Sequence, residues 1–144
     1  MVRCPITEGH ETVLHIAAAA KQTDLVKELV KQMTDEDLEL VDNDGFTAIC
    51  FAAASGIVTI AEEMVKRNDK LLLIRNTRFN ITPLYIAALL GRKEMASYLF
   101  SKTCFDDLSH GERIGLLVAT ISSDMYGMPH ILVTVSLRQF AICH

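Results

Sequence analysis

The feature that most constrains this chain is a repetition. Thr12, Thr47 and Thr82 stand 35 residues apart. Each is followed two positions on by an aliphatic residue (Leu14, Ile49, Leu84) and then by an Ala-Ala pair at 17–18, 52–53 and 87–88. Leu25, Ile60 and Met95 keep the same step, as do Leu29, Met64 and Leu99. Gly56 and Gly91 share a position that Lys21 occupies in the first copy. The three stretches read "ETVLHIAAAAKQTDLVKELV", "FTAICFAAASGIVTIAEEMV" and "ITPLYIAALLGRKEMASYLF". A period of this length marks one supersecondary unit that cannot bury its apolar side alone and must stack on its neighbours.

Each copy has a local physical reading. The threonine stands at a helix N-cap, its hydroxyl free to accept from backbone N–H groups. Pro83 follows at the first helical position, where the missing N–H costs nothing. A short helix carries the Ala-Ala pair, whose small side chains let helices approach closely. The glycine then accommodates a left-handed turn. A second, longer helix shows apolar residues at Leu25, Val26, Leu29 and Val30, and a polar spacer leads to the next copy. The expected class is therefore all-α.

The stretches "TPLYIAALLG", "TVLHIAAAA" and "TAICFAAASG" resemble the Thr-Pro-Leu-His-x-Ala-Ala signature of ankyrin repeats, whose usual period is about 33. The two extra residues fall in the spacer after the second helix. The resemblance implies an ankyrin-repeat solenoid of stacked helix-turn-helix units over residues 1–127. Its repeats would cover about 7–41, 42–76 and 77–111, with a partial fourth at 112–127. "ETVLHIAAAAKQTDLVKELVKQM", "FAAASGIVTIAEEMVKRN" and "RIGLLVATISSDMY" look closer to plant ankyrin-repeat proteins that carry a C-terminal PGG-type membrane domain. Those relatives are linked to defence and salt-stress signalling at the plasma membrane. This chain shows no PGG segment, so the expectation for it is an intracellular, cytoplasmic protein.

The pattern fails toward the end. Sliding the third copy by 32 places Leu84 on Leu116 and Ala87 on Ala119, so a first helix is expected from near Ile114. The second helix should follow from about Asp124, but Gly127 and Pro129 disfavour it. "ILVTVSL" is β-branched and uncharged, which suits a strand. Residues 128–144 are read as a divergent tail, strand-like or disordered, and a truncated or alternatively spliced product would explain it. One or both ends of the stack are expected to expose apolar surface, the first offering Leu14, Ile16, Val26 and Leu29.

In ankyrin repeats an Asp-x-x-Gly-x-Thr turn precedes each first helix, and its variable positions point outward. The resemblance therefore implies partner-binding residues at these tips. In the second copy, Asp42 to Thr47 fits the pattern and gives Asn43, Asp44 and Phe46. In the third, Thr77 to Thr82 gives Arg78, Phe79 and Ile81, with Asn80 able to take left-handed geometry. The first gives Glu8, Gly9 and Glu11, with His10 in the glycine slot. Large apolar groups at tips are typical interface anchors. Residues 35–44 carry six acids and no cation, whereas 67–78 carry Arg67, Lys70, Arg75 and Arg78 against Asp69. Such a bipolar surface could steer an oppositely patterned partner. The bland alternative is that Phe46 and Phe79 pack between neighbouring tips and the charges are merely solvated.

Other function classes find little footing. Half of the residues are apolar and 22% are charged, which is the make-up of a folded chain rather than a disordered one. The net charge of −4 and the lack of a basic stripe give no pull toward nucleic acid. No apolar run approaches the ~20 residues of a membrane span. Cys4, Cys50, Cys104 and Cys143 lie far apart in sequence, without zinc-ligand spacing, and read as free thiols. "DNDG" invites a calcium-loop reading, but the first and twelfth ligand positions would be Leu40 and Phe51. His15 occupies the histidine slot of the repeat motif. The same column holds Cys50 and Tyr85, so it supplies no catalytic set, and a Cys50–His15 dyad would lack a third orienting group. No cofactor, metal or small-molecule substrate is expected. The reading is a non-catalytic protein–protein interaction module. Its partners would be other proteins, related ankyrin chains among them, and the rival role is end-to-end oligomerisation.

Overall fold

A computed structural model of the chain describes residues 11–122. The first-copy residues Glu8, Gly9 and His10 and the divergent tail at 128–144 lie outside that range. The described residues are all-helical: α1 (Val13–Ala19), α2 (Thr23–Gln32), α3 (Asp35–Leu38), α4 (Ala48–Ser55), α5 (Val58–Arg67), α6 (Pro83–Leu89), α7 (Lys93–Lys102) and α8 (His110–Ser122). The short first helices form an inner row in which α1 packs on α4, α4 on α6 and α6 on α8. The longer second helices form an outer row, with α2 on α5 and α5 on α7. α1, α4 and α6 each also pack on the outer helix of their own hairpin. The core between the rows holds Leu14, Ile49 and Leu84 from one motif position, and Met64 and Leu99 from another, all nearly inaccessible.

The Ala-Ala pairs explain the close packing of the inner row. All six of these alanines are buried at 2% exposure or less. Thr12, Thr47 and Thr82 precede α1, α4 and α6 in near-identical extended geometry. The expected hydroxyl-to-backbone cap forms at Thr82, which accepts from Tyr85 N–H at 3.4 Å. At the other two, the hydroxyl meets the side chain three residues on. Thr12 pairs with His15 Nδ1 at 2.8 Å and Thr47 with Cys50 Sγ at 3.6 Å. Those residues carry a polar or polarisable atom that competes for the hydroxyl.

The hairpin turns have one shape. Lys21, Gly56 and Gly91 all take positive φ, at 61°, 78° and 70°. Only the first carries a side chain there, and its left-handed geometry is strained by the Cβ.

Four expectations need correction. Leu25 was placed with the apolar stripe of α2, but it is 45% exposed, while Val26 and Val30 face the core. The spacers are not simply polar strings. They fold into α3 and a 3-10 turn at Asp69–Leu73, which bury Leu38, Leu71 and Leu72. The last inner helix begins at His110, not near Ile114, because Ser109 opens it. The Ser109 N–H donates to Glu112 Oε2 and the Glu112 N–H to Ser109 Oγ, a reciprocal cap. The 32-residue register still holds, since Leu116 and Ala119 are buried as Leu84 and Ala87 are. At the start of the stack, Leu14 and Val26 are buried rather than open.

Two substitutions test this backbone reading. Gly45 has φ of +84°, and a Cβ there would collide with the Thr77 side chain and approach its backbone N at 2.8 Å. Gly45→Ala is expected to cost at least about 2 kcal/mol, measured by chemical denaturation. Lys21→Gly removes left-handed strain and is expected to raise stability by about 0.5–1 kcal/mol in the same assay.

Candidate functional site

The tips that precede α4 and α6 are built by asparagine and aspartate turns. In the second tip, Asp42 Oδ1 accepts from Asp44 N–H at 3.0 Å and Phe46 N–H at 2.9 Å. The Asp42 N–H donates to Phe46 O at 3.0 Å, beside an isolated bridge between Val41 and Thr47. In the third tip the same work falls to Asn76. Its Oδ1 accepts from Arg78 N–H at 2.9 Å and Phe79 N–H at 2.6 Å, and its N–H donates to Ile81 O at 2.9 Å. The third tip thus opens one residue earlier than the alignment of Thr77 on Asp42 implies. Asn80 takes φ of 55° in the slot of Gly45.

Asn76 also joins the two tips. It is 1% exposed, and its Nδ2–H donates to Asp44 O at 2.6 Å. Sequence reasoning passed over this residue because it lies outside the repeat motif. The available signal was the Asx-turn chemistry of an asparagine four residues before another.

Of the residues read as partner-binding, Asn43, Asp44, Arg78 and Phe79 are exposed, whereas Phe46 and Ile81 are half-buried. Phe46 stacks on Phe79 with centroids 6.3 Å apart and lies tilted against Phe51 at 6.2 Å. Phe51 in turn meets the edge of His15 at 5.5 Å. Phe79 stays 57% exposed at the end of this ladder, with the Arg78 guanidinium 5.5 Å from its ring centre. Behind the ladder lies an open groove of about 350 Å³, lined by Phe46, Cys50, Phe51, Ala54, Phe79, Ile81 and Ile86. None of these side chains is charged.

The charges pair across repeats. Arg78 Nη1 meets Asp44 Oδ1 at 2.8 Å and Arg67 Nε meets Asp35 Oδ1 at 3.4 Å. Glu39 accepts from Asn68 Nδ2 at 2.9 Å, and Asp37 caps α3 by accepting from Thr34 N–H. The acidic and basic spacers are neighbours in the stack, so they neutralise one another locally. The bipolar steering surface read from the sequence is largely spent inside the molecule.

The titratable groups are structural in arrangement. His15 Nδ1 accepts from Thr12 N–H at 3.2 Å while its Nε2 lies 2.9 Å from Phe46 O. Both ring nitrogens are thus engaged, and neither is left for Cys50. Burial pushes the Cys50 thiol up, outweighing its contact with Thr47, which keeps it protonated and unreactive. Burial raises the Glu112 carboxyl too, but the Arg75 fork at 2.9 and 3.0 Å and the Ser109 donors together hold it below the ordinary range. A carboxylate with a depressed folded pKa stabilises the fold above its unfolded pKa and loses that contribution as pH falls through the folded value. Melting temperature is therefore expected to fall below about pH 4.5, and Glu112→Gln should flatten that acid limb. Among the described residues, no group of three or more His, Cys, Asp or Glu could hold a metal ion, and no helix is long and apolar enough to cross a membrane.

A family model described as Ankyrin repeats (3 copies) matches residues 3–72. No curated protein matches the chain. Beyond the matched span, the hairpin of α6 and α7 continues the same packing, with Pro83 at the head of its inner helix. Residues 3–72 thus match ankyrin repeats, and the described residues fold as a helix-turn-helix stack of that kind; ankyrin repeats are generally protein–protein interaction modules and typically non-catalytic.

Proposed function

We propose that this chain is a protein-binding module whose contact surface is the pair of tips before α4 and α6 together with the groove behind them. Asn43, Asp44, Phe46, Arg78, Phe79 and Ile81 are its contact residues. The observation that supports this most is Phe79: a large ring, 57% exposed, held by a stacked neighbour at the mouth of an apolar groove. A ring already fixed by packing loses little freedom on binding, which favours it as an anchor. Phe46 has a mixed role, half-buried between tips and half open to the groove. The finer placement, in plant stress or defence signalling, is supported by the resemblance of the quoted helix stretches alone.

A second reading, end-to-end stacking on other ankyrin chains, is favoured by Ile114 on α8 at 50% exposure and Leu25 on α2 at 45%. Sedimentation over a wide concentration range separates the two. A single monomer species throughout removes the second.

The tip reading is tested by affinity capture with the wild-type chain and Phe79→Ala, followed by quantification of each captured protein. Phe79→Ala is expected to lower stability by less than about 1 kcal/mol and to weaken a specific partner at least about tenfold. Partners retained at full strength by Phe79→Ala and Arg78→Glu alike would overturn the reading.

A further inference from the structure

The repeat supplies its own internal control. At the seam between the first two hairpins, Arg67 Nη2 donates to Met33 O at 3.0 Å and Arg67 Nε lies 3.4 Å from Asp35 Oδ1. Asn68 Nδ2 donates to Asp35 O at 3.1 Å and to Glu39 Oε1 at 2.9 Å. One period later, at the seam between the second and third hairpins, Lys102 stands for Arg67, Lys70 for Asp35 and Thr103 for Asn68. An acid and a base are thus replaced by two bases. Thr103 turns back on its own helix, its hydroxyl donating to Leu99 O at 2.7 Å. Among the described residues, neither the Lys70 nor the Lys102 ammonium has a hydrogen bond or an ion pair.

Where those latches are missing, the seam is open. A cavity of about 250 Å³ there is lined by Lys70, Leu72, Leu73, Lys102 and Thr103 among others. A second, of about 510 Å³, shares Asp69, Leu72 and Lys102 with it and continues past Val65, Lys66 and Tyr98. Val65 and Leu72 are buried and form an apolar floor. Acids stand in the seam as well. Asp107 lines the smaller cavity and Glu62 the larger. Arg75 Nη2 donates to Asp107 O at 3.0 Å, which sets a cation beside Asp107, and Lys66 lies 4.0 Å from Glu63. Asp69 is the acid that lines both cavities with Lys102.

Two like charges at matched positions repel until an anion joins them. In the first seam the same two positions bring opposite charges within 3.4 Å, so the Lys70 and Lys102 ammoniums can both reach one small anion. A carboxylate answers them with a single charge. A phosphate monoester carries about −1.5 to −2 at neutral pH and has three acceptor oxygens. Lysine binds phosphate as a point charge and needs no fork geometry. Attraction between exposed charges is modest in water, so a bare ion gains little here. The larger cavity, with its apolar floor and the Tyr98 ring, admits an organic group whose burial adds to the affinity.

We propose that the seam between the second and third hairpins is a binding site for an organic phosphate monoester. Lys70 and Lys102 hold the phosphate, and the larger cavity takes the group that carries it. The site shares no residue with the tip surface and does not depend on the protein-binding reading.

The test is isothermal titration calorimetry of the full chain with phenyl phosphate, inorganic phosphate and benzoate at one fixed ionic strength. Saturable binding of phenyl phosphate is expected, at least about tenfold tighter than either of the others. Lys70→Gln combined with Lys102→Gln should weaken it by at least about tenfold. Lys70→Asp should abolish it without lowering the melting temperature of the ligand-free chain, because the acid–base pairing of the first seam is restored. Asp69→Asn should strengthen binding, and Lys93→Gln, which removes an exposed lysine at the other end of α7, should leave it unchanged. A phosphoserine peptide identifies the source of the phosphate. Tighter, equally lysine-dependent binding of the peptide assigns the site to a phosphorylated partner, weaker binding assigns it to a small metabolite, and both support the site. Circular dichroism and melting of each ligand-free variant separate a lost site from a lost fold. Non-saturable binding, equal affinity for benzoate, or full retention by Lys70→Asp overturns the proposal. So does an equal loss in Lys93→Gln and in the double variant, since any surface lysine would then serve.

Discussion

The stack depends on side chains that reach across one repeat to a backbone carbonyl of the next. His15 Nε2 meets Phe46 O, Asn68 Nδ2 meets Asp35 O, Asn76 Nδ2 meets Asp44 O, and Arg67 and Arg92 meet Met33 O and Ala54 O. Helix ends and turns leave such carbonyls with spare capacity to accept. Apolar packing between helix rows is non-directional and would tolerate sliding. These bonds have a fixed reach and fix how far each repeat is rotated on its neighbour. Three of the donors, His15, Asn68 and Asn76, are themselves buried, so losing an acceptor would leave a polar group dry.

The periodic part of this architecture was open to sequence reasoning because its causes are local. Thr82 with Pro83, the Ala-Ala pairs and the left-handed turns at Gly56 and Gly91 each need particular residue types at particular places. The buried face of α8 was visible for the same reason, through Leu116 and Ala119. What escaped were interactions fixed by the neighbour rather than by the segment. Leu25 reads as core on a helical wheel, yet it is 45% exposed, on a helix that packs on α1 and α5 among the described residues. Asn76 carries the third tip through contacts with a loop 32 residues earlier. The start of α8 depended on Ser109 and Glu112, a cap that Arg75 completes from another repeat.

The pairing of the tip and spacer charges was not legible in the sequence, and the reason is stacking. An acidic spacer followed 35 residues later by a basic one looks bipolar along the chain. In a solenoid those segments are adjacent, so Asp44 with Arg78 and Asp35 with Arg67 become short-range pairs. Exposed pairs of this kind contribute little stability. Their larger effect is to leave the groove and the aromatic ladder as the least solvated part of that surface.

The third tip opens six residues before its N-cap threonine, whereas the second opens five before, yet Thr47 and Thr82 keep the common period. The extra loop residue is offset by one fewer in the segment behind it, so the helices beneath never lose step. Variation at the tips is thereby uncoupled from the core. A chain built this way can lengthen or reshape a recognition loop by moving the boundary between loop and spacer, with no helix re-laid and no buried contact renegotiated.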